Sequence, residues 1–202
     1  MASREPTAAF ATAGLDLARI PAGRTFGRIY HQRFPDPLGF GKSRSRFSDP
    51  RRRIEANRFG VLYLGSSLKV CFLEAVLRDD RDGVVGDFPM DEAELDSRQY
   101  AQVATSTELA LLDLSGDGPV RMGVPSDVLR SSRQALARRW SIAFHDHPAQ
   151  VDGIYYPSRL NGEVNLAIYG RAVPKLTVAT SGSLRMAPGL ARVLNDLEVA
   201  LV

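Results

Sequence analysis

The irregular order of strand-like and helix-like segments is the feature that most constrains the fold of this chain. Segments rich in β-branched and aromatic residues predict strands at 25–31, 60–65, 99–105, 109–115, 151–158, 164–170 and 175–180. Helical patterns cover 66–80, about 126–147 and 188–202, and Ser66 or Ser67 is the expected N-cap of the first helix. Because the two kinds of segment do not alternate regularly, the sequence predicts an α+β fold built on an antiparallel sheet.

Size and composition indicate an ordinary globular protein. The 202 residues are 44% hydrophobic and 24% charged, which predicts a single domain over 1–202 with its own core. Cys71 is the one cysteine, so no internal disulfide can form and a reducing compartment is expected. With no long apolar run, we expect a cytoplasmic protein without membrane contact. Residues 1–20 are expected to form a loose arm or a short helix.

A cluster of positive charge lies at residues 24–58. This stretch holds ten basic residues against three acidic ones, and 32–60 is predicted to be a long loop. Gly41-Lys42-Ser43 resembles the end of a phosphate-binding loop, but Asp36 occupies the position that requires the first glycine. Three interpretations of the cluster remain open: a solvated face, an anion site built on forked arginine donors, and a nucleic-acid surface. The basic residues are Arg24, Arg28, Arg33, Lys42, Arg44, Arg46, Arg51, Arg52, Arg53 and Arg58.

Glu74 is the most informative single residue, because it lies inside the apolar stretch "VCFLEAVL". A carboxylate in a buried helix must be paired, hydrogen-bonded or functional, since burying it unpaired is costly. One interpretation is an ion pair with Arg78, four residues further on. The other is a functional carboxylate in a cleft opposite the arginine-rich loop. Ser158 ends an aromatic strand and begins a turn, where a serine is commonly a turn former but can also point into a cleft.

Taken together, several motifs resemble those of the RES-domain proteins. They are "RIY" from Arg28 to Tyr30, "SRFSDP" with Arg46, "GVLYLGSSLKVCFLEAV" with Tyr63 and Glu74, and "DGIYYPSRLNGEVNLAIYG" with Ser158 and Asn165. The resemblance spans about residues 24–173. It implies an ADP-ribosyltransferase-like split antiparallel sheet with flanking helices, and a toxin that consumes NAD. Relatives often have Gly-Gly-Arg-Trp-Asn around the second arginine, whereas this chain reads Arg-Ser-Arg-Phe-Ser, so Arg44 is an alternative to Arg46.

The resemblance also implies roles for individual residues. The expected catalytic residues are Glu74, Arg46 and Ser158. Glu74 would stabilise positive charge on the ribose, and Arg46 would bind the pyrophosphate. The expected substrate-binding residues are Arg28, Tyr30, Tyr63 and Asn165. Among these, Arg28 would share the pyrophosphate, Tyr63 would cover the nicotinamide, and Asn165 would join Ser158 in bonding the ribose.

NAD is expected as a substrate, and no metal is expected because the three histidines and Cys71 do not form a ligand pattern. The implied partner is an antitoxin of the helix-turn-helix type, so that nucleic acid is contacted only through that partner. Two other functions remain open, namely a nucleic-acid-binding or RNA-cleaving toxin that uses residues 24–58, and a silent interaction domain. The acceptor of the ADP-ribose group, whether water, phosphate or a protein side chain, is left open.

Overall fold

The computed structural model describes residues 5–51, 54–78 and 80–202. Residues 1–4 of the predicted arm, and Arg52 and Arg53 of the basic cluster, lie outside the described residues. Within them the strands are β1 (Leu17–Ile20), β2 (Thr25–His31), β3 (Val61–Gly65), β4 (Phe88–Met90), β5 (Arg98–Thr105), β6 (Leu109–Asp113), β7 (Gly153–Pro157), β8 (Val164–Tyr169), β9 (Leu176–Ser183) and β10 (Val199–Leu201).

Short helices connect and flank these strands. The α-helices are α1 (Leu68–Phe72), α2 (Glu92–Asp96), α3 (Gly118–Arg121), α4 (Asp127–Arg130), α5 (Ala135–His145) and α6 (Leu190–Asp196). A π-helical turn, Leu73–Leu77, continues α1 without a break. Short 3-10 helices lie at Ala8–Thr12, Glu55–Asn57, Gly170–Lys175 and Leu184–Met186. In the described part of the chain, no helix is both long and apolar enough to cross a membrane.

Eight of the described strands form one sheet in the order β1-β6-β7-β8-β3-β2-β5-β9. All neighbours in it are antiparallel except β6 and β7. β4 and β10 form a separate parallel pair. Helix α5 and the 3-10 turn that carries Phe10 contribute to one core cluster with Trp140 and Phe144, and α1 and α6 contribute to another.

The large sheet is nearly split between β3 and β2. These two strands are joined by the single residue pair Gly27–Gly65, whereas β2 and β5 are paired over seven residues. α1 packs over this junction. A Cβ atom at Gly65 would lie 2.7 Å from both Cys71 Sγ and Val70 Cγ1, and one at Gly27 would lie 3.0 Å from Cys71 Sγ and 2.9 Å from the Tyr100 side chain of β5. Glycine is therefore required at both positions for the helix to lie this close to the strands.

Most of the predicted elements are confirmed, and the exceptions have local causes. The long helix predicted at 126–147 is wrong: it is interrupted after Arg130, and Ser131 is extended. The helix predicted over 188–202 ends at Asp196, because Glu198 has a φ of 49° and turns the chain into β10. For residues 5–20, the short-helix alternative is confirmed and the loose arm is not: a 3-10 helix and the edge strand β1 lie there, and the ring centroids of buried Phe10 and Trp140 are 5.3 Å apart.

Candidate active site

A cleft of about 370 Å³ opens where β2 and β3 separate. Its walls come from β2, β3, β8, the helical segment from α1 to Arg78, the loop around residue 45 and the turn after β7. The lining residues are Arg28, Ile29, Arg44, Ser45, Arg46, Tyr63, Leu64, Gly65, Cys71, Glu74, Ala75, Arg78, Gln134, Tyr156, Arg159, Leu160 and Asn165. The cleft thus contains most of the residues expected from the sequence.

Glu74 is the centre of a hydrogen-bond cluster that joins three predicted site residues. Its Oε1 atom accepts from the Ser158 hydroxyl at 2.7 Å and from the Asn165 amide at 3.2 Å. Ser158 and Asn165 are each 4% exposed, whereas Glu74 is exposed. The expectation of a buried carboxylate is therefore wrong: Glu74 lies on the open side of its helix. Among the described residues no ion pair joins Glu74 to Arg78.

The position of Glu74 is fixed by the way its helix begins and packs. Of the two serines predicted as possible N-caps, Ser67 is the one that caps the helix. Its hydroxyl accepts a hydrogen bond from the Val70 N–H at 3.1 Å and donates one to Glu163 Oε2 at 2.5 Å. Asn165 lies opposite Gly65 across the β3–β8 ladder, and directly opposed residues share a face of a sheet. Its amide consequently points to the side on which the helix packs and reaches Glu74.

The segment around Arg46 is held in place by Tyr63. The Tyr63 hydroxyl accepts from the Phe47 N–H at 2.9 Å and lies 2.9 Å from Ser45 Oγ. Ser141 Oγ, on α5, donates to the Phe47 carbonyl at 2.6 Å. These bonds anchor both backbone groups of Phe47, whose side chain is fully buried. The Tyr63 hydroxyl thus positions the loop around Arg46, and the Tyr63 side chain also lines the cleft.

The two expected phosphate-binding arginines both line the cleft, and both also donate to the backbone. Arg46 Nη1 donates to the Ser131 carbonyl at 2.9 Å and to the Val128 carbonyl at 3.3 Å. Arg28 Nη1 donates to the Pro37 carbonyl. Burial lowers the pKa of Arg28 to about 10, which is still well above neutral pH, and burial also lowers the pKa of Arg46.

Tyr30 and Ser158 lie away from the cleft wall. Tyr30 is 8% exposed and packs in a core cluster, and the Arg28 guanidinium lies 5.6 Å from its ring centroid. The cation–π contact with the Tyr30 ring helps to hold the Arg28 guanidinium in place. Because Tyr30 is buried, its side chain is not accessible to a substrate. Ser158 reaches Glu74 from the turn after β7, where its hydroxyl also accepts from the Leu160 N–H at 3.1 Å.

Several cleft residues were missed by the sequence analysis. Tyr156 lies opposite Asn165 in the β7–β8 ladder, and burial raises its pKa well above that of a free tyrosine, so its hydroxyl stays protonated. Gln134 and Arg159 also line the cleft, as does Arg78, for which the sequence suggests only an ion pair with Glu74. The alternation in "GIYYPSR" was the available signal for Tyr156, because it places Tyr156 and Ser158 on one side.

Charge in the cleft is strongly unbalanced. Five of its described lining residues are arginines and only Glu74 is acidic, so the cleft favours an anionic ligand that also carries a group for one carboxylate. Burial raises the pKa of the Cys71 thiol to about 12, which leaves it un-ionised and unsuited to be a nucleophile. Within 5–51, 54–78 and 80–202, no group of three or more metal-ligating side chains was found. The five arginines are Arg28, Arg44, Arg46, Arg78 and Arg159.

The aromatic residues of the basic loop do not form a stacking surface. Phe47 is completely buried, and Phe59 stacks on His145 with ring centroids 4.1 Å apart. Among Phe40, Phe47 and Phe59, the candidates in this loop for stacking on the bases of a single-stranded nucleic acid, Phe40 alone is exposed, at 38%. This arrangement argues against the nucleic-acid interpretation of residues 24–58.

The chain belongs to the RES domain family, whose model matches residues 16–187. It is 40% identical over 127 residues to the probable toxin y4kH of Sinorhizobium fredii (strain NBRC 101917 / NGR234), a match that covers 62% of this chain and 100% of that protein.

A chain in the crystal structure of the M. tuberculosis MbcT–MbcA toxin–antitoxin complex is structurally similar, with a TM-score of 0.63 and 19% identity. That match covers 88% of this chain and 92% of the other chain. At this level of identity the likeness shows a shared fold, and the predicted α+β class with a mostly antiparallel sheet is confirmed.

Proposed function

We propose that this protein is the toxin of a toxin–antitoxin pair and that it cleaves the nicotinamide–ribose bond of NAD. The observation that carries the proposal is a single carboxylate, Glu74, oriented by Ser158 and Asn165 in a cleft otherwise rich in arginine. Membership in the RES domain family and similarity to a probable toxin support it. The expected consequence is depletion of cytoplasmic NAD and arrest of growth.

The proposed role of Glu74 is electrostatic. When the glycosidic bond breaks, its electron pair moves to the nicotinamide nitrogen, and positive charge develops on the ribose in an oxocarbenium-like state. Because nicotinamide leaves as a neutral molecule, no strong general acid is needed. Glu74 Oε1 is held by Ser158 and Asn165, whereas Oε2 has no hydrogen-bond partner among the described residues. Oε2 is therefore free to accept from a ribose hydroxyl and to stabilise the cation.

The arginines supply the second half of the proposed site. Arg28 and Arg46 would direct their remaining donors to the pyrophosphate, where partial burial strengthens charge-assisted hydrogen bonds. The Tyr63 ring would lie against the nicotinamide, and Asn165 and Ser158 would act mainly by holding Glu74. The ADP-ribose would then be transferred to water, phosphate or a protein side chain, which corresponds to hydrolysis, phosphorolysis or ADP-ribosyl transfer.

The proposal is tested by incubating the purified protein with NAD and following free nicotinamide by ¹H NMR. Glu74→Gln retains the volume and the acceptor oxygen for Ser158 and Asn165 but removes the charge. We expect nicotinamide release to fall by about 10²–10³-fold with no change in thermal stability. Glu94→Gln, which removes the charge of a half-buried glutamate of α2 that pairs with Arg98 outside the cleft, is the matched control. Normal release by Glu74→Gln, or none by the wild type, would contradict the proposal.

An antitoxin is the proposed partner, because a chain of similar fold comes from a toxin–antitoxin complex. From the sequence resemblance we expect a helix-turn-helix protein that alone contacts DNA. A carboxylate-bearing segment of it would suit the arginine-lined cleft and would exclude the pyrophosphate of NAD. Pull-down of the antitoxin by Glu74→Gln across an NAD series tests this: affinity should fall as NAD rises, and a constant affinity would place inhibition elsewhere.

A further inference from the structure

Arg78 has a backbone conformation that residues with a side chain rarely adopt. Its φ is 48° and its ψ is −123°, outside the regions that Cβ sterics leave open. It directly follows the π-helical turn Leu73–Leu77, which the Arg78 N–H closes with a 2.7 Å bond to the Leu73 carbonyl. Such conformations and π-turns cost free energy and concentrate at functional sites. A glycine would adopt this conformation without strain, so the arginine side chain itself needs an explanation.

The Arg78 side chain lines the same cleft as Glu74 and bonds to none of the other residues that the structure describes. In the described part of the chain, no hydrogen bond or ion pair involves its guanidinium, and the residue is exposed. Arg28 and Arg46 differ, because each donates to backbone carbonyls. The complete planar fork of Arg78 is therefore available to a ligand that enters the cleft.

We propose that Arg78 binds a phosphate group of the substrate, and that the strained turn is retained because it brings this guanidinium into the cleft beside Glu74. The proposal rests on the proposed function, since it takes the substrate to be a dinucleotide joined by a pyrophosphate. Glu74 and Arg78, which are four residues apart, then contact adjacent parts of the substrate. The Glu74 carboxylate accepts a hydrogen bond from the ribose, and the Arg78 guanidinium binds the neighbouring phosphate. Neither group neutralises the other, because the protein forms no ion pair between them.

The test compares Arg78→Gly with Arg78→Lys, both in a Glu74→Gln background so that the ligand is not consumed. Inorganic pyrophosphate and nicotinamide riboside, which lacks phosphate, are titrated calorimetrically. Arg78→Gly should weaken pyrophosphate binding at least about tenfold, leave riboside binding unchanged, and maintain or raise the melting temperature. Arg78→Lys keeps the charge but loses the fork, so its affinity should be intermediate.

Gln150→Gly is the matched control, because Gln150 also has a positive φ of 49° and its side chain bonds to His147 and Arg171, outside the cleft. It should change stability without changing either affinity. Wild-type affinity of Arg78→Gly for pyrophosphate would overturn the proposal, as would a lower melting temperature with weaker riboside binding. Nicotinamide release by the wild type is scored separately. Its absence alongside the expected loss of pyrophosphate binding would reject the NAD-cleaving function and keep the role of Arg78.

Discussion

Replacing Gly65 by alanine tests whether the close approach of α1 to the sheet junction sets the geometry of the site. The new Cβ atom would lie 2.7 Å from Cys71 Sγ and from Val70 Cγ1, and both side chains belong to buried residues of α1. Favourable carbon contacts begin at about 3.5 Å, so the helix must move by roughly half an ångström or more. Glu74, on the π-helical turn that continues α1, would move with it.

The size of the effect follows from this displacement. Overpacking of a well-packed core costs about 1–3 kcal/mol. Each kcal/mol shifts the melting temperature of a protein of this size by about 2–4 °C, so Gly65→Ala should melt about 2–12 °C lower. The bond from Asn165 to Glu74 is already 3.2 Å long and should be lost first. Because misplacement by about 1 Å can reduce a rate about 10²-fold, nicotinamide release should fall more than stability alone explains.

The assays are thermal unfolding and nicotinamide release, measured well below the melting temperature. Gly182→Ala is the control: Gly182 also lies in a strand of the large sheet, and a Cβ added there meets nothing within 4 Å. It should behave like the wild type in both assays. If Gly65→Ala has normal stability and normal activity, the junction does not position Glu74 and the packing argument is wrong.

Three further predictions concern the loop, the second arginine and pH. Tyr63→Phe leaves the Phe47 N–H without its acceptor, which should cost about 1–3 kcal/mol in urea unfolding and raise the KM for NAD. Arg46→Lys should lower both stability and NAD affinity, because one ammonium cannot both bond the two carbonyls that Nη1 reaches and offer a forked donor to the ligand, whereas Arg44→Lys should leave stability unchanged. The raised pKa of Cys71 means that above pH 9 the unfolded chain loses this proton and the folded chain retains it up to about pH 12. The unfolding free energy should therefore fall as pH rises through this window, and Cys71→Ala should show a shallower fall.

The sequence predicts the central strands well because each carries enough apolar or β-branched residues to be recognised. β3 and β8, which flank the site, are examples. The segments that were not predicted as strands are short and paired at an edge or in the small sheet: β1, β4 and β10 have four, three and three residues. Their conformation depends on the strands they pair with, which a local pattern cannot reveal. The break between α4 and α5 likewise follows from a few residues beginning at Ser131.

Glu74 leads to the candidate site, although the reason for singling it out, its burial, is wrong. Glu74 stands out in the sequence because its neighbours are apolar, yet it is exposed on a cleft, and its partners Ser158 and Asn165 are the buried polar groups. Sequence could bring these residues together only by resemblance, because 84 and 91 positions separate them from Glu74. The unusual backbone of Arg78 has no sequence signal, since it arises from the π-helical turn.

Because β2 and β3 pair only at Gly27–Gly65, no hydrogen-bonded ladder fixes the width of the cleft at its mouth. In an ordinary sheet the spacing between neighbouring strands is fixed at about 4.8 Å by the backbone. Here the spacing beyond one residue pair depends on the volumes of Val70, Cys71 and Tyr100, which occupy the space that the glycines leave. Side-chain volume changes in steps as small as one methyl group. Substitutions of these three residues can thus widen or narrow the cleft without touching the ligand and without changing a strand register.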